Sequence, residues 1–273
     1  ALESIDLLGE SLTLRRNLED FVDLIEINAM IGQSGQAGDL ETRLSKLQQD
    51  ISSQLQGLAA VVRETEQIDE FNSKRDELIA ELAAVQSETS LHGKIALAEK
   101  LLGSSQVFIK LVASQAGLSQ DREGAVRQMV ELITVETPKV TAALSEGRAI
   151  GSYSLAQGFL NSSASTAFDE LLLELEKLHA EYGLNLQASL NSSAQARTSL
   201  ATPAASSLET LKTIAVVFED QVVVADSLDT PWAQFYNDVS TAMEQTYQFN
   251  SAVLVFLDKQ LEQRLEENRV QMV

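Results

Sequence analysis

The sequence has no cysteine, only three prolines and few aromatic residues, which make up 5% of its 273 positions. The lack of cysteine excludes disulfide bonds, thiolate catalysis and cysteine-based metal sites. Long apolar runs are also missing, since none approaches the ~18–20 residues that a membrane span needs. Because proline is scarce while Ala, Leu, Gln and Glu are frequent, the composition favours helix throughout.

Basic residues are few: 20 Lys and Arg stand against 40 Asp and Glu, which gives a net charge of −20. Such a chain is repelled by nucleic acid and by anionic lipid surfaces, so we expect neither as a partner. The 44% hydrophobic and 22% charged contents are those of a soluble, folded protein. Its length is enough for one elongated domain or two smaller modules.

Apolar residues recur every three or four positions, as in amphipathic helices, over nearly the whole chain. The spacing predicts a first helix over Leu2–Ile31, a second over about 40–62, and a long helical region over about 68–114 that is interrupted near 90–93. Asp121 could cap the next helix, and Pro138 either starts a new helix or kinks a continuing one. Thr202-Pro203 and Thr230-Pro231 both read as a cap followed by the first residue of a helix.

The first and last helices carry comparable 4-3 stripes. The first stripe is Leu7, Ser11, Leu14, Leu18, Phe21, Ile25 and Asn28; the last is Phe235, Val239, Ala242, Thr246, Phe249, Val253 and Phe256. Sustained 3-4 spacing with short loops predicts an all-α fold, an elongated antiparallel bundle of two stacked four-helix-bundle-like modules. We expect the two terminal helices to pack against each other or to share a bundle, with their free ends on the same side.

Motifs for enzymatic chemistry are absent: there is no glycine-rich phosphate loop, no nucleophile elbow and no HExxH. The two histidines, His92 and His179, have no zinc-spaced ligands beside them and are best interpreted as helix-surface or loop residues. We therefore expect no catalytic residues, no cofactor and no metal, and the protein is predicted not to be an enzyme.

The segment 143-ALSEGRAIGSYSLAQGFLNSS-163 departs from the pattern, because its inward stripe turns small at Gly147, Gly151, Ser154 and Gly158. Small residues either let a neighbour approach closely or leave a cavity between helices, where bundle ligands usually bind. In the second case Arg148 and Tyr153, which flank the stripe, are the candidate ligand-binding residues, with Gly151 in the cavity wall.

Arg15 and Arg16 are further candidates for binding an anion. Neighbouring residues point about 100° apart on a helix, so at most one of the two faces inward. A half-buried arginine needs a carboxylate or an external anion as its partner. The alternative is a surface arginine that extends its charged end to solvent beside Glu19 or Asp20.

Several segments resemble helical periplasmic sensor domains of bacterial chemotaxis receptors and sensor histidine kinases. The turn 116-AGLSQD-121, the proline at 138 and 148-RAIGS-152 are similar to the middle of such domains. The segment 229-DTPWAQFYNDVS-240 is similar to the start of their last helix. The segment 18-LEDFVDLIEINAM-30 resembles the first helix of the nitrate- and nitrite-sensing type, with Asn28 where that type has arginine.

The resemblance implies a periplasmic domain between two membrane helices that lie outside this chain, which would make the chain part of a longer protein. It implies one sensor domain over 1–273, with a membrane-distal module within about 32–120. A membrane-proximal module would comprise the terminal helices and about 121–228. We expect it to bind a small molecule, such as an organic acid or other anion, between its helices. The alternative is a structural or protein-interaction bundle.

The resemblance also implies a homodimer in the full-length receptor. The polar residues Ser11 and Asn28 within the first stripe indicate that the isolated domain associates only weakly. We expect it to be a monomer or a concentration-dependent dimer.

Overall fold

A computed structural model describes residues 2–272 of the chain. These residues form nine α-helices: α1 (Leu2–Ile31), α2 (Leu40–Gly57), α3 (Thr65–Ser87), α4 (Leu91–Gln115), α5 (Gly124–Glu131), α6 (Thr137–Gln157), α7 (Ser162–Asn191), α8 (Ala194–Phe218) and α9 (Trp232–Gln271). No β-strand occurs between residues 2 and 272. The all-α class predicted from the sequence is confirmed.

The long helices form two sets of four. In the first set α1 packs on α2 and α4, and α3 packs on α4; in the second, α6 and α8 pack on α9, and α7 packs on α8. Helix α1 also packs on α6 and α9, so the sets lie side by side, whereas we expected one module stacked beyond the other. The physical reason is that α1 buries two faces, with sixteen of its thirty residues inaccessible. One continuous hydrophobic core therefore joins both sets.

Helices α1 and α9 run antiparallel along their shared contact. Gly9 lies against Leu254, and further along α1 Asp20 accepts a hydrogen bond from Tyr236. The start of α1 and the late turns of α9 therefore lie at the same end of the molecule, as the sequence predicted for the free ends of the terminal helices. The first and last residues of the chain lie outside the described part.

Helix α5 continues into α6 through a π-helical turn over residues 132–136, so Pro138 lies within a continuing helix. Proline has no N–H to donate to the carbonyl four residues earlier, which is that of Thr134. The side-chain amide of Gln106, on α4, donates to that carbonyl instead at 2.6 Å. Of the two alternatives for Pro138, the continuing helix is the correct one.

Several predicted helix boundaries are wrong. Asp121 does not cap α5, which begins at Gly124 after Glu123, and α9 begins at Trp232, one residue after Pro231. Pro203 lies inside α8, which already begins at Ala194, where the hydroxyl of Ser193 accepts a bond from the backbone N–H of Ala196. A serine cap followed by alanines is a strong helix start, which outweighs the proline further on. Helix α2 ends at Gly57 rather than near 62.

Candidate functional site

The small residues of α6 do not line a cavity. A Cβ atom added to Gly147 would overlap the ring of Phe218, and one added to Gly151 would overlap the ring of Phe235. Both rings are fully buried and lie directly on the α6 backbone. The cavity interpretation of this stripe is therefore wrong. The stripe is small because aromatic rings, rather than a neighbouring backbone or a ligand, occupy the space.

Gly158, the last member of the stripe, has a different role. Its φ of 84° lies in the left-handed region, and its N–H donates to the carbonyl of Ser154 at 2.9 Å. Glycine is the residue that ends helices in this conformation without strain. The final position of the predicted stripe thus terminates α6.

Arg148 is buried in an ion pair within the protein. Its Nε donates to Asp23 Oδ2 at 2.7 Å, and its Nη1 donates to the Ser240 hydroxyl at 2.9 Å. The guanidinium also lies over the ring of Tyr236, 4.5 Å from the centroid. Arg148, a candidate ligand-binding residue of the sequence analysis, thus has a buried carboxylate of the protein as its partner. Asp23 and Ser240 occupy Nε and Nη1 of Arg148, while Nη2 is buried without a hydrogen-bond partner.

Asp23 is held by two side chains of α6, since, in addition to the bond from Arg148, the Ser145 hydroxyl lies 2.8 and 2.7 Å from its two carboxylate oxygens. Burial raises the pKa of Asp23 to about 7, although Arg148 and Ser145 both act to lower it. Desolvation therefore outweighs the attraction of the paired arginine.

The two arginines of α1 diverge as the helix geometry predicted. Arg15 points inward and lies 3.2 Å from the buried carboxylate of Glu19, one turn along α1. Arg16 points outward, pairs with Glu244 and lies 4.4 Å from the ring centroid of Tyr247. Arg15 thus has an internal carboxylate as its partner, and Arg16 has a partner on α9.

Tyr153 lies apart from Arg148, beside Glu26 of α1. Burial raises the pKa of Tyr153, and the carboxylate of Glu26 adds to the shift. Burial likewise raises the pKa of Glu26 to about 7, with further contributions from Glu99 on α4 and Glu146 on α6. Tyr153 therefore faces a carboxylate, which does not suit it to bind an anion together with Arg148.

These contacts make up a buried polar seam where α1 meets α6 and α9. We define the polar seam as Arg15, Glu19, Asp23, Ser145, Arg148 and Tyr236. Its α1 members recur every four residues, beside the apolar stripe of the same helix. That spacing is visible in the sequence, where Glu19 and Asp20 suggested only surface partners for an arginine.

A cavity does exist between helices, but in the first set. It has a volume of about 220 Å³ and lies between α1, α2 and the α3–α4 corner. Phe21, Ile25 and Val85 form apolar walls, while Asn28 and Lys94 supply polar groups. The ammonium of Lys94 donates to the Val85 carbonyl at 3.0 Å. The sequence could not reveal the cavity, because its walls come from four separate helices.

The α2 wall of this cavity is the most loosely packed. Only Leu40, Ile51 and Leu55 are buried among its eighteen residues. The same helix reaches the polar seam, since the guanidinium of Arg43 lies 4.9 Å from the ring centroid of Tyr236. Helix α2 therefore borders the cavity and also contacts α9.

No family model, no curated protein and no solved structure matches this sequence. None of the helices in residues 2–272 is long and apolar enough to cross a membrane. In the same residues, no group of three or more His, Asp or Glu side chains is arranged to hold a metal ion.

Proposed function

We propose that this chain is the extracytoplasmic ligand-sensing domain of a transmembrane signalling receptor, of the chemotaxis or two-component type. The observation that carries the proposal is the partly open cavity of about 220 Å³ between the helices of the first set. A cavity of roughly 150 Å³ accommodates benzene, which has six non-hydrogen atoms. By proportion the cavity suits a molecule of roughly nine non-hydrogen atoms.

The lining favours a small organic acid with one carboxylate. Lys94 is the cation of the lining, and its side chain is half-buried, where a charge-assisted hydrogen bond is strong. Phe21 and Ile25 offer an apolar surface for the rest of the molecule. Glu41 lies on the rim and would repel a second carboxylate, so the proposed ligand is a short monocarboxylate.

A ligand can signal only if it binds two arrangements of the domain with different affinity. Ligand binding would fix α2 against α1, and Arg43 of α2 lies on Tyr236, which in turn lies on Arg148. This chain of contacts joins the cavity to α9. In a membrane-tethered receptor, α1 and α9 would continue at their common end into spans that lie outside this chain.

The test is a thermal-shift and calorimetric titration of the protein with butyrate, valerate, hexanoate and heptanoate, which approach the size estimated for the cavity. A bound compound at 100 times its dissociation constant should stabilise the domain by about 2.7 kcal/mol. Lys94→Met should abolish this stabilisation. The matched change Lys100→Met, at an exposed position of the same helix, should retain it. The proposal fails if none of the acids stabilises the protein, or if both variants respond like the wild type.

A structural or protein-interaction bundle is the second candidate function. The observation that favours it is an apolar groove on the outer face of α7 and α8, where large hydrophobic side chains are exposed. Sensing and docking are compatible in one domain, so the acid titration decides only the first candidate.

A further inference from the structure

The groove between α7 and α8 is open to solvent and has a volume of about 710 Å³. Leu175 and Leu211 form its buried floor, and Ala215 is half-buried beside them. Leu173 is 69% exposed and Val216 is 54% exposed, and both line the groove. Such exposed side chains contribute little to the stability of the isolated fold, because apolar area stabilises a fold only when it is buried.

Single exposed hydrophobic residues are ordinary on protein surfaces and need no explanation. Here, however, exposed residues from two helices flank one continuous apolar floor. A contiguous apolar patch with a polar rim is typical of a protein-interaction site. Leu184 is also exposed on α7 but does not line the groove. The groove differs from the surface around Leu184 because its exposed side chains flank an apolar floor.

The charges around the groove indicate the chemistry of its occupant. Asp169, Glu176 and Glu219 line it, against the one basic side chain of Lys212 and the imidazole of His179. The whole chain carries a net charge of −20, so a second copy would bring an acidic surface to an acidic rim. Charge complementarity instead favours a basic partner.

The shape of the groove indicates a helix. Its lining on α7 extends from Asp169 to His179, a rise of ten residue steps or about 15 Å at 1.5 Å per residue. That length corresponds to about three helical turns. Amphipathic helices bind grooves of this kind through apolar residues at positions i, i+3 or i+4, and i+7.

We propose that the α7–α8 groove binds an amphipathic helix of a partner protein, whose apolar stripe is flanked by lysine or arginine. The apolar stripe lies on Leu175 and Leu211 between Leu173 and Val216. The basic flanks lie beside Asp169, Glu176 and Glu219. This site is separate from the cavity of the first set, and it stands whether or not that cavity binds an acid.

The test uses a designed 16-residue helical peptide with leucine at i, i+4, i+7 and i+11 and lysine at the flanking positions. Its binding to the whole domain is measured by fluorescence anisotropy against Leu173→Lys and the matched variant Leu184→Lys. Both changes replace an exposed leucine of α7 and alter the net charge equally, so non-specific attraction of the cationic peptide weakens to the same extent in each. We expect Leu173→Lys to weaken binding at least tenfold and Leu184→Lys to weaken it less than twofold.

A peptide with the same leucines but glutamate at the flanks should show no binding. The proposal is overturned if the two variants weaken binding equally, or if the glutamate peptide binds as well as the lysine peptide. It is also overturned if sedimentation shows a dimer of the wild type that Leu173→Lys alone dissociates, because the occupant is then a second copy. Circular dichroism of both variants should match the wild type, since neither leucine is buried.

Discussion

The two four-helix sets share an architecture but fill their interiors differently. The first set leaves a partly open cavity between its helices although its helix α2 has leucines at regular spacing. The second set is filled although its helix α6 has glycine and serine along the inward stripe, because Phe218 and Phe235 occupy that space. The pattern of residues along one helix describes only one wall of the interior of a bundle. Whether space remains depends on the side chains that the facing helices supply.

The contrast between α2 and α6 follows from how far each helix is enclosed. Fifteen of the twenty-one residues of α6 are buried, against three of the eighteen residues of α2. Helix α6 packs on α1, α7 and α9, so bulky side chains have no room there. Helix α2 lies at the edge of the first set, where the free energy of folding depends little on its exact position. We expect the second set to be rigid and the first to be deformable.

The largest expected effect lies where the two sets meet. Asp23→Ala would leave Arg148 buried without its carboxylate, which should lower the free energy of unfolding by about 3–5 kcal/mol. Asp6→Ala, at an exposed position of α1, should change it by less than about 0.5 kcal/mol. Urea denaturation at pH 7.5 measures both. If Asp23→Ala costs under 1 kcal/mol, the seam does not hold the sets together.

Gly151→Leu should lower the free energy of unfolding by about 3 kcal/mol, because the new side chain would overlap the ring of Phe235. Gly103→Leu is the matched change in the first set, on α4, where a Cβ would meet no atom within 4 Å. That variant should gain about 0.5–1 kcal/mol, since leucine favours helix over glycine. Because Gly103 is exposed, thermal melts of the pair separate the cost of the overlap with Phe235 from the effect of replacing a helical glycine. Equal losses at both positions would refute the difference in packing.

A smaller effect concerns pH and the carboxyl of Glu26, which faces Glu99, Glu146 and Tyr153. Its pKa rises from 4.5 in the unfolded chain to about 7 in the folded protein, so the folded protein binds the proton more tightly. The resulting stabilisation is present below pH 4.5 and is lost as the pH rises through 7. Burial raises the pKa of Asp23 as well, so protonation of Asp23 also stabilises the folded protein as the pH falls.

Glu26→Gln should therefore raise the free energy of unfolding by about 2 kcal/mol at pH 7.5 and leave it nearly unchanged at low pH. Urea denaturation of the variant and the wild type at pH 4.5 and pH 7.5 measures the difference. The control is Glu10→Gln, at an exposed position of the same helix, which should show no such difference. An equal gain at both pH values would show that Glu26 is not the titrating group.

The sequence predicted the extent of α1 closely, because its 4-3 stripe is uninterrupted and a glycine-rich turn follows it. It failed at α8, since a proline inside the helix looked like a helix start. It also failed at α6, because no pattern within α6 tells which side chains of α8 and α9 will face Gly147 and Gly151. The sequence could not predict the cavity for the same reason, because the walls of the cavity come from several helices. Periodicity predicts which face of a helix is buried, and only the packed fold shows what lies against that face.

The smallest expected effect tests the empty interior itself. Leu44 lies on α2 in the cavity wall and is half-buried, so Leu44→Phe adds ring volume to space that no protein atom occupies. Filling a cavity in this way commonly stabilises a protein, and we expect a gain of about 0.5–1 kcal/mol. The same variant should lose any stabilisation by short monocarboxylates, because the ring takes their place. Differential scanning calorimetry with and without butyrate measures both effects. A loss of stability approaching that of Gly151→Leu would show that the first set is packed as tightly as the second, because a ring can be added cheaply only where its neighbours leave room or can move.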